Sequence, residues 1–371
     1  MTGSRPIEIP IFDLGRQNEK LIDGILNEIR KVVLSGRFIL GEAVAELEER
    51  LGEMIGGRAI GVGSGTDALY LTIKALDIGA GDEVITSPFT FIAPIETILA
   101  LGARPVFVDI DPITFNLNPD LIEERITERT RAILPIHLFG LPAAMEPIVS
   151  IARQHNLVVI EDCAQAFGAR IGDQPVGGFG DAGCFSFFPT KILSCFGDGG
   201  MVIVRDPDRA ERIRSLRVHG SRKKYYHEEI GVNSRLDALQ ARILLYKLNF
   251  VDEWIRRRRE IADHYRKLLK GLPISLPVEP EGYYHVYHQF TIRSPRRDEL
   301  KRHLAENGIG STVYYPTPLH LQPVCKDLGY KPGDFPEAER ACSEVLSLPI
   351  FPELTPREVE RVASVLSSFD W

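Results

Sequence analysis

The sequence is poor in the features that mark secreted, membrane-spanning or nucleic-acid-binding chains. Cysteine is scarce: Cys163, Cys184, Cys195, Cys325 and Cys342 are the only five in 371 residues. No two are spaced C-x-x-C, and none stands with histidines at zinc-finger spacing. An odd count of this kind predicts reduced thiols in a cytosol-like compartment. The opening Met1-Thr-Gly-Ser-Arg-Pro6 has no apolar core and no cleavage pattern, so no secretory leader is expected. A membrane helix needs ~18 or more apolar residues with few charges. The best stretch, Val84 to Ala103, is interrupted by Pro88, Pro94, Glu96 and Gly102, and it reads as buried core. Basic residues are not in excess: Lys and Arg number 44 against 51 Asp and Glu, for a net charge of −7. That balance lacks the electrostatic footprint of a nucleic-acid partner. No G-K-[ST] occurs, which excludes a Walker loop. Glycines 61, 63 and 65 run G-x-G-x-G, not the G-x-G-x-x-G of a dinucleotide loop. Internal repeats and low-complexity segments are absent.

What is present reads as a layered α/β protein. The length exceeds one ordinary compact unit, which predicts a large domain and a smaller one. Leu21 to Leu34 and Ala43 to Ile55 carry apolar residues at helical period, closed by Gly36 and by Gly56-Gly57. From Ala59 onward short apolar runs alternate with helical segments. The runs are Ala59–Val62, Val84–Ser87, Pro105–Asp109, Ala132–His137, Val158–Asp162, Cys184–Phe188 and Met201–Val204. Strands this short and this continuously apolar argue for a mostly parallel sheet covered on both faces. Ligands of such sheets bind beyond the carboxyl ends of the strands. From Trp254 the pattern changes to a helical stripe carrying Arg256 to Arg259, read as a solvated helix face because Glu260 follows. Proline- and tyrosine-rich segments come after Gly271. The expected division is residues 1–253, a large domain, and 254–371, a smaller α/β domain.

Four strand ends carry chemistry. Lys191 is the only charged residue between Asp181 and Asp198. A poorly solvated amine loses its proton more readily, and a neutral lysine can attack a carbonyl to form a Schiff base. Taken alone, a lysine with a buried stem and a wet head fits equally well. Gly63-Ser-Gly-Thr-Asp67 follows the first strand, where backbone amides at a helix start suit a phosphate, or form a plain tight turn. Asp162 ends a buried strand, and a buried carboxylate needs a positive partner. A protonated pyridine nitrogen would serve, and a helix N-cap is the alternative. Phe91, in Pro88-Phe-Thr-Phe91, is placed either to stack on a flat ring or to pack in the core. Together these are the parts of a pyridoxal 5'-phosphate site.

The chain resembles the DegT/DnrJ/StrS sugar aminotransferases over nearly its whole length. The matching motifs include Ser64-Gly-Thr-Asp-Ala-Leu69, Glu161-Asp-Cys-Ala-Gln165, Phe185-Ser-Phe-Phe-Pro-Thr-Lys191, Gly197-Asp-Gly-Gly200, Gly231-Val-Asn-Ser-Arg-Leu-Asp237 and Tyr314-Tyr-Pro-Thr-Pro-Leu-His320. The resemblance implies the aspartate-aminotransferase type I fold, with a mostly parallel mixed seven-stranded sheet in the large domain. It implies Lys191 as the Schiff-base lysine and Asp162 as the partner of the ring nitrogen. Gln165 would meet the ring hydroxyl, Phe91 one ring face and Ala164 the other. Gly65, Thr66 and Ser186 would hold the phosphate, with Asn233 reaching over from a second subunit of a homodimer. Phe188, Arg222, Lys223, Tyr225, Tyr314 and His320 would face the substrate. The implied reaction moves the amine of L-glutamate onto a nucleotide-linked keto-sugar in the cytoplasm, without metal. The motif around Lys191 resembles members acting on 3-keto sugars, with 4-keto sugars the alternative. Some relatives carry histidine in place of the lysine and remove a sugar hydroxyl; Lys191 speaks against that branch. Many relatives have tyrosine where Phe188 stands and a small residue where Cys195 stands. A regulatory protein that retains the fold is the rival class.

Overall fold

The computed structural model describes residues 7–371, so the reading of the first six residues lies outside it. In chain order the elements begin with α1 (Leu14–Ser35), α2 (Glu42–Ile55), β1 (Arg58–Val62), α3 (Gly65–Ala75), β2 (Glu83–Thr86), α4 (Ala93–Ala100), β3 (Arg104–Phe107) and β4 (Thr130–Leu134). Next are α5 (Met145–Gln154), β5 (Val158–Asp162), the short β6 (Arg170–Ile171) and β7 (Gln174–Pro175), β8 (Ala182–Ser186) and β9 (Gly200–Val204). The rest comprises α6 (Pro207–Leu216), α7 (Ala238–Leu248), α8 (Val251–Leu268), β10 (Tyr283–Tyr284), β11 (Phe290–Arg293), α9 (Arg297–Glu306), α10 (Pro336–Glu344), β12 (Val345–Leu348) and α11 (Pro356–Ser367).

Seven strands form one sheet in the order β1-β9-β8-β5-β4-β2-β3. β9 runs antiparallel to both neighbours and every other pairing is parallel, so the expected mixed, mostly parallel sheet is present. Side chains alternate between the two faces of a strand, and here both sets are apolar. Ile60, Val62, Ile160, Val202 and Val204 enter a core with α3, α4 and α6. Ala59, Phe185, Met201 and Ile203 enter another with α1, α2 and α7, while Ile85, Ile133 and Val159 pack with α5. A further core gathers the second half of α8 with β11, β12, α9 and α11. The first turns of α8 belong instead to the α1–α7 core, so the expected boundary at residue 253 falls inside this helix.

Several boundaries differ from those expected. The strand read as Cys184–Phe188 stops at Ser186: Phe187 N–H still donates to Gly199 O at 2.8 Å, but Phe187 O accepts from Cys195 N–H at 2.7 Å and leaves the ladder. Phe188, expected in a buried strand, is 49% exposed. The basic run of α8 is not one solvated face. Arg256 and Arg257 pair with Glu260, and Arg259 pairs with Glu279. Arg258 is buried against carbonyl oxygens instead. All five cysteines are free and buried. Among the described residues no helix is long and apolar enough to cross a membrane.

Candidate active site

The register of the sheet brings three strand ends together. Val62 and Ser186 both pair with Gly200, and Asp162 pairs with Cys184 one strand further along. A cavity of about 660 Å³ opens there. Close approach of the backbones makes this corner. A Cβ on Gly200 would lie 2.2 Å from Ser64 O, and one on Gly65 would lie 2.6 Å from Ser186 Cβ. Only glycine lets the start of α3 sit this near β8 and β9. Ser64 caps α3 by accepting from Asp67 N–H at 3.0 Å. Ser234 Oγ then donates to Asp67 Oδ2 at 2.8 Å and accepts from Gly63 N–H at 3.0 Å. The first amides of α3 and the Ser186 hydroxyl form the cavity wall, a positive-dipole end suited to a phosphate.

Lys191 lies in the loop between β8 and β9, and α7 holds that loop from behind. Gln240 bonds both the N–H and the C=O of Phe196 at 2.9 Å, and Lys247 Nζ donates to Ser194 Oγ at 2.7 Å. Lys191 lines the cavity. Burial pushes its amine down to about 8, while the nearby Asp162 carboxylate opposes the shift. Its side chain is not fully enclosed, because one end faces the open cavity while packed protein strips water from the rest. For Asp162 burial is the leading influence and raises the carboxyl above its ordinary value. Ala164 N–H, 3.0 Å from Oδ1, counteracts it, as do Lys191 and His137.

The neighbour of Asp162 points the other way and anchors the strand end. Glu161 is fully buried and accepts from the N–H groups of Gly177, Phe179 and Gly180 at 2.7–2.8 Å. Its fourth donor is His137 Nε2 at 3.0 Å; Nδ1 of that ring accepts from Ala143 N–H at 2.9 Å, which places the ring proton on Nε2. Cys163 lies close by, and the three side chains could in principle gather an ion. Glu161 and His137 are already committed to these hydrogen bonds, and the cluster serves as a folding anchor.

Of the residues expected at the site, Gly65, Thr66, Phe91, Asp162, Ala164, Gln165, Ser186, Phe188, Lys191 and Tyr314 all line this cavity. Phe91 is 54% exposed, its ring available. Gln165 Oε1 accepts from Phe139 N–H at 2.9 Å and Nε2 donates to Tyr315 Oη at 3.1 Å, which leaves one N–H of the amide free. The structure does not bring the others there. Arg222, Lys223 and Tyr225 are exposed in the loop after α6, and Asn233 is exposed beside it. His320 is turned away: it is buried, with Nε2 3.0 Å from Glu339 and its ring edge against Phe335. A substrate contact for His320 is corrected on that ground, since α10 claims the ring.

Sequence reasoning missed Phe12, Asp198, His288, Gln289 and Tyr315, which also line the cavity. Tyr315 was within reach, as the neighbour of Tyr314 in a quoted motif. His288 had no local signal. Its segment docks on the turn after β4, with Val286 N–H donating to Gly140 O and Gln289 N–H to Phe139 O. Its Nδ1 is buried and has no partner among the described residues. Burial, with Lys191 and Arg258 nearby, holds the ring neutral.

An amine ready to shed its proton beside a buried carboxylate that lacks a full counter-charge is the pairing on which vitamin B6 enzymes rely. Solved structures agree on the class. The S. venezuelae DesV structure in complex with a ketimine intermediate has a TM-score of 0.95 and 43% identity, covering 98% of each chain. The ntda structure from Bacillus subtilis, with bound cofactor PMP, has a TM-score of 0.92 and 32% identity, over 99% of this chain and 86% of that one. The fold is that of the pyridoxal-phosphate-dependent aminotransferases, and pyridoxal phosphate is the cofactor.

The chain belongs to the DegT/DnrJ/EryC1/StrS aminotransferase family, whose sequence pattern matches residues 20–367. Among curated relatives, the pleiotropic regulatory protein of Geobacillus stearothermophilus is 49% identical over 98% of this chain and 99% of its own. The UDP-N-acetyl-3-dehydro-alpha-D-glucosamine 3-aminotransferase of Acidithiobacillus ferrooxidans is 46% identical over 96% and 97%.

Proposed function

We propose that this protein transfers the amino group of L-glutamate to a nucleotide-linked 3-keto sugar, with Lys191 as the proton-carrying residue. The observation that carries this reading is the placement of Lys191 and Asp162 at one cavity, each perturbed by burial and each opposing the other's shift. The residues suit pyridoxal phosphate. Among the described residues the Asp162 carboxylate takes one hydrogen bond, from the backbone N–H of Ala164 to Oδ1, so it has capacity for a protonated ring nitrogen. The amides of Gly65 and Thr66 with Ser186 would take the phosphate, Phe91 and Ala164 the ring faces, and the free N–H of Gln165 the ring hydroxyl. When bound, the cofactor supplies an electrophilic carbonyl and a ring that accepts electrons.

The chain's own groups do the rest. Asp162 stays ionised opposite a positive ring, since a buried carboxylate gains from a close cation. Lys191 in its neutral form is the nucleophile that captures the carbonyl. Once displaced by the amino donor, its Nζ takes the proton from the donor's Cα. In the second half it returns a proton to the sugar carbon that becomes aminated. Phe91, Phe188 and Tyr315 present apolar surface that excludes water from these transfers.

The choice of a 3-keto sugar rests on relatives. Four that are 40–46% identical bear names of 3-dehydro, 3-oxo or 3-amino nucleotide sugars. The exposed Arg222-Lys-Lys-Tyr-Tyr226 segment and Asn233 lie outside their own cavity, which suits completion of a second copy's site in a homodimer. The regulatory name of one relative favours a second reading, a sensory protein on the same fold. A relic would tolerate loss of Lys191, Asp162 or the phosphate corner, and this chain keeps them all. The test is the visible spectrum of the purified protein with and without L-glutamate, then turnover of 3-keto and 4-keto sugar nucleotides. A glutamate-dependent shift that vanishes in Lys191→Ala supports the reading. Normal turnover by that variant would sink it. Salt-sensitive retention on DNA without amino transfer would favour the rival.

A further inference from the structure

Gln165 is held at both ends of its amide. Oε1 accepts from Phe139 N–H at 2.9 Å, and Nε2 donates to Tyr315 Oη at 3.1 Å. Among the described residues the amide makes no other hydrogen bond. The turn that carries Phe139 is fixed from behind. Leu138 N–H donates to Asn116 Oδ1 at 3.0 Å, and Asn116 Nδ2 donates to the carbonyl oxygens of Leu141 and Pro142, both at 3.1 Å. A carboxamide held by one such bond can still turn about it. A second bond at the nitrogen sets the amide plane, and the other N–H of Nε2 then has a single direction. Gln165 lines the active-site cavity, so that N–H is the one left for an occupant.

Tyr315 is fixed independently of Gln165. Before it, Thr312 and Ser347 of β12 exchange N–H···O bonds of 3.2 and 2.8 Å; after it, Leu319 N–H donates to Pro88 O at 2.8 Å. Its ring packs edge-on to Phe89, with 6.3 Å between centroids, and lies 6.3 Å from Phe91. One side chain thus joins two loops at the carboxyl ends of strands: that after β2, with Phe91, and that after β5, with Gln165. A phenylalanine would supply the same apolar contact. The hydroxyl adds one thing among the described residues, the hydrogen bond to Gln165.

We propose that the Tyr315 hydroxyl is a positioning group for the cofactor: by accepting one N–H of Gln165 it aims the other at the ring hydroxyl of pyridoxal phosphate. The inference rests on the reading of Gln165 as the contact to that hydroxyl. Outer partners orient the ligands of a metal in the same way. Recognition of the ring hydroxyl then depends on a residue 150 positions further along the chain that does not itself meet the ring oxygen. Without the Tyr315 oxygen the amide keeps its bond to Phe139 and turns about it, and the ring hydroxyl loses a fixed donor.

The test measures dissociation constants of the full-length, cofactor-stripped protein for pyridoxamine 5'-phosphate and for its analogue lacking the ring hydroxyl. Neither carries a carbonyl, so Schiff-base formation at Lys191 does not enter. The native protein should prefer pyridoxamine phosphate, and Gln165→Leu should lose most of that preference. Tyr315→Phe keeps the ring contacts and removes only the oxygen. It should weaken pyridoxamine phosphate by about fivefold, the worth of one net hydrogen bond, and leave the analogue within about twofold. In the Gln165→Leu background, Tyr315→Phe should change the preference no further. Tyr315→Leu, which also gives up the ring packing, should weaken both ligands yet lower the preference by the same factor, and it serves if Tyr315→Phe does not fold. A merely structural role would weaken both ligands alike and leave the preference at its native value, which overturns the inference. A further loss of preference in the double variant overturns it too, because the hydroxyl would then meet the cofactor directly. Gln165→Leu that keeps the native preference defeats the reading of Gln165 itself. A preference lost in Gln165→Leu and kept in Tyr315→Phe defeats only the positioning role.

Discussion

Capture of pyridoxal phosphate by the cofactor-free protein should follow the titration of Lys191. An ordinary lysine titrates near 10.4, and this one is pushed down to about 8 by burial. At pH 7.5 the neutral fraction is then roughly a quarter, against ~0.1% for an ordinary lysine, a gain of roughly 200-fold in reactive amine. The assay is the rate of change in cofactor absorbance on mixing, measured from pH 6 to 10. The rate should climb with pH and level off above a midpoint near 8. Asp162 is the charge that holds the amine up, so Asp162→Asn should move the midpoint lower and speed capture at pH 7. The captured cofactor would then be held less tightly, because the ring nitrogen loses its counter-charge. A midpoint near 10 in the native protein, or an upward shift in Asp162→Asn, would refute the reasoning. Stability carries the same signature with a definite sign. Between pH 8 and 10.5 the unfolded amine still holds its proton and the folded one has lost it. The folded state therefore gains stability as pH rises through that window, as far as this group is concerned.

Glu161→Gln should destabilise the protein by about 3 kcal/mol in denaturant titration, because a buried acceptor of four donors would present an N–H₂ to some of them. Gly200→Ala should raise the dissociation constant for pyridoxal phosphate by about tenfold or more, roughly 1.4 kcal/mol, since the new Cβ forces the start of α3 away from β9. The fold should survive, as judged by circular dichroism. Lys247 is also pushed down to about 8 by burial, and its ammonium faces the rings of Phe196 and Trp254. Lys247→Met should change stability at pH 7 by less than ~1.5 kcal/mol, as lost hydrogen bonding to Ser194 is offset by relief of a desolvated charge. It should also flatten the rise in melting temperature above pH 8.

Much of the site was legible before any coordinates. A lone charged residue in an apolar run marked Lys191, an acid closing an apolar strand marked Asp162, and three glycines with Ser64 and Thr66 marked the turn that forms one wall of the cavity. These signals are local: each depends on residue types within a few positions of one another, and strand periodicity says which end of the strand they occupy. His288 and Gln289 were invisible for the opposite reason. They come from a segment nearly a hundred residues beyond Lys191 and reach the cavity only because Val286 and Gln289 pair with the turn at Gly140. His320 shows the same effect in reverse, since nothing near it in the chain indicated that Glu339 of α10 would take its ring.

From the order of residues came the class of sheet, the cofactor and the two groups proposed to act with it, because backbone pattern, side-chain reactivity and family motifs are properties of short stretches. Tertiary structure alone decided which groups face that chemistry from elsewhere and how far burial shifts the amine. Desolvation and unpaired buried atoms arise from packing between distant segments, and no window of neighbouring residues contains them.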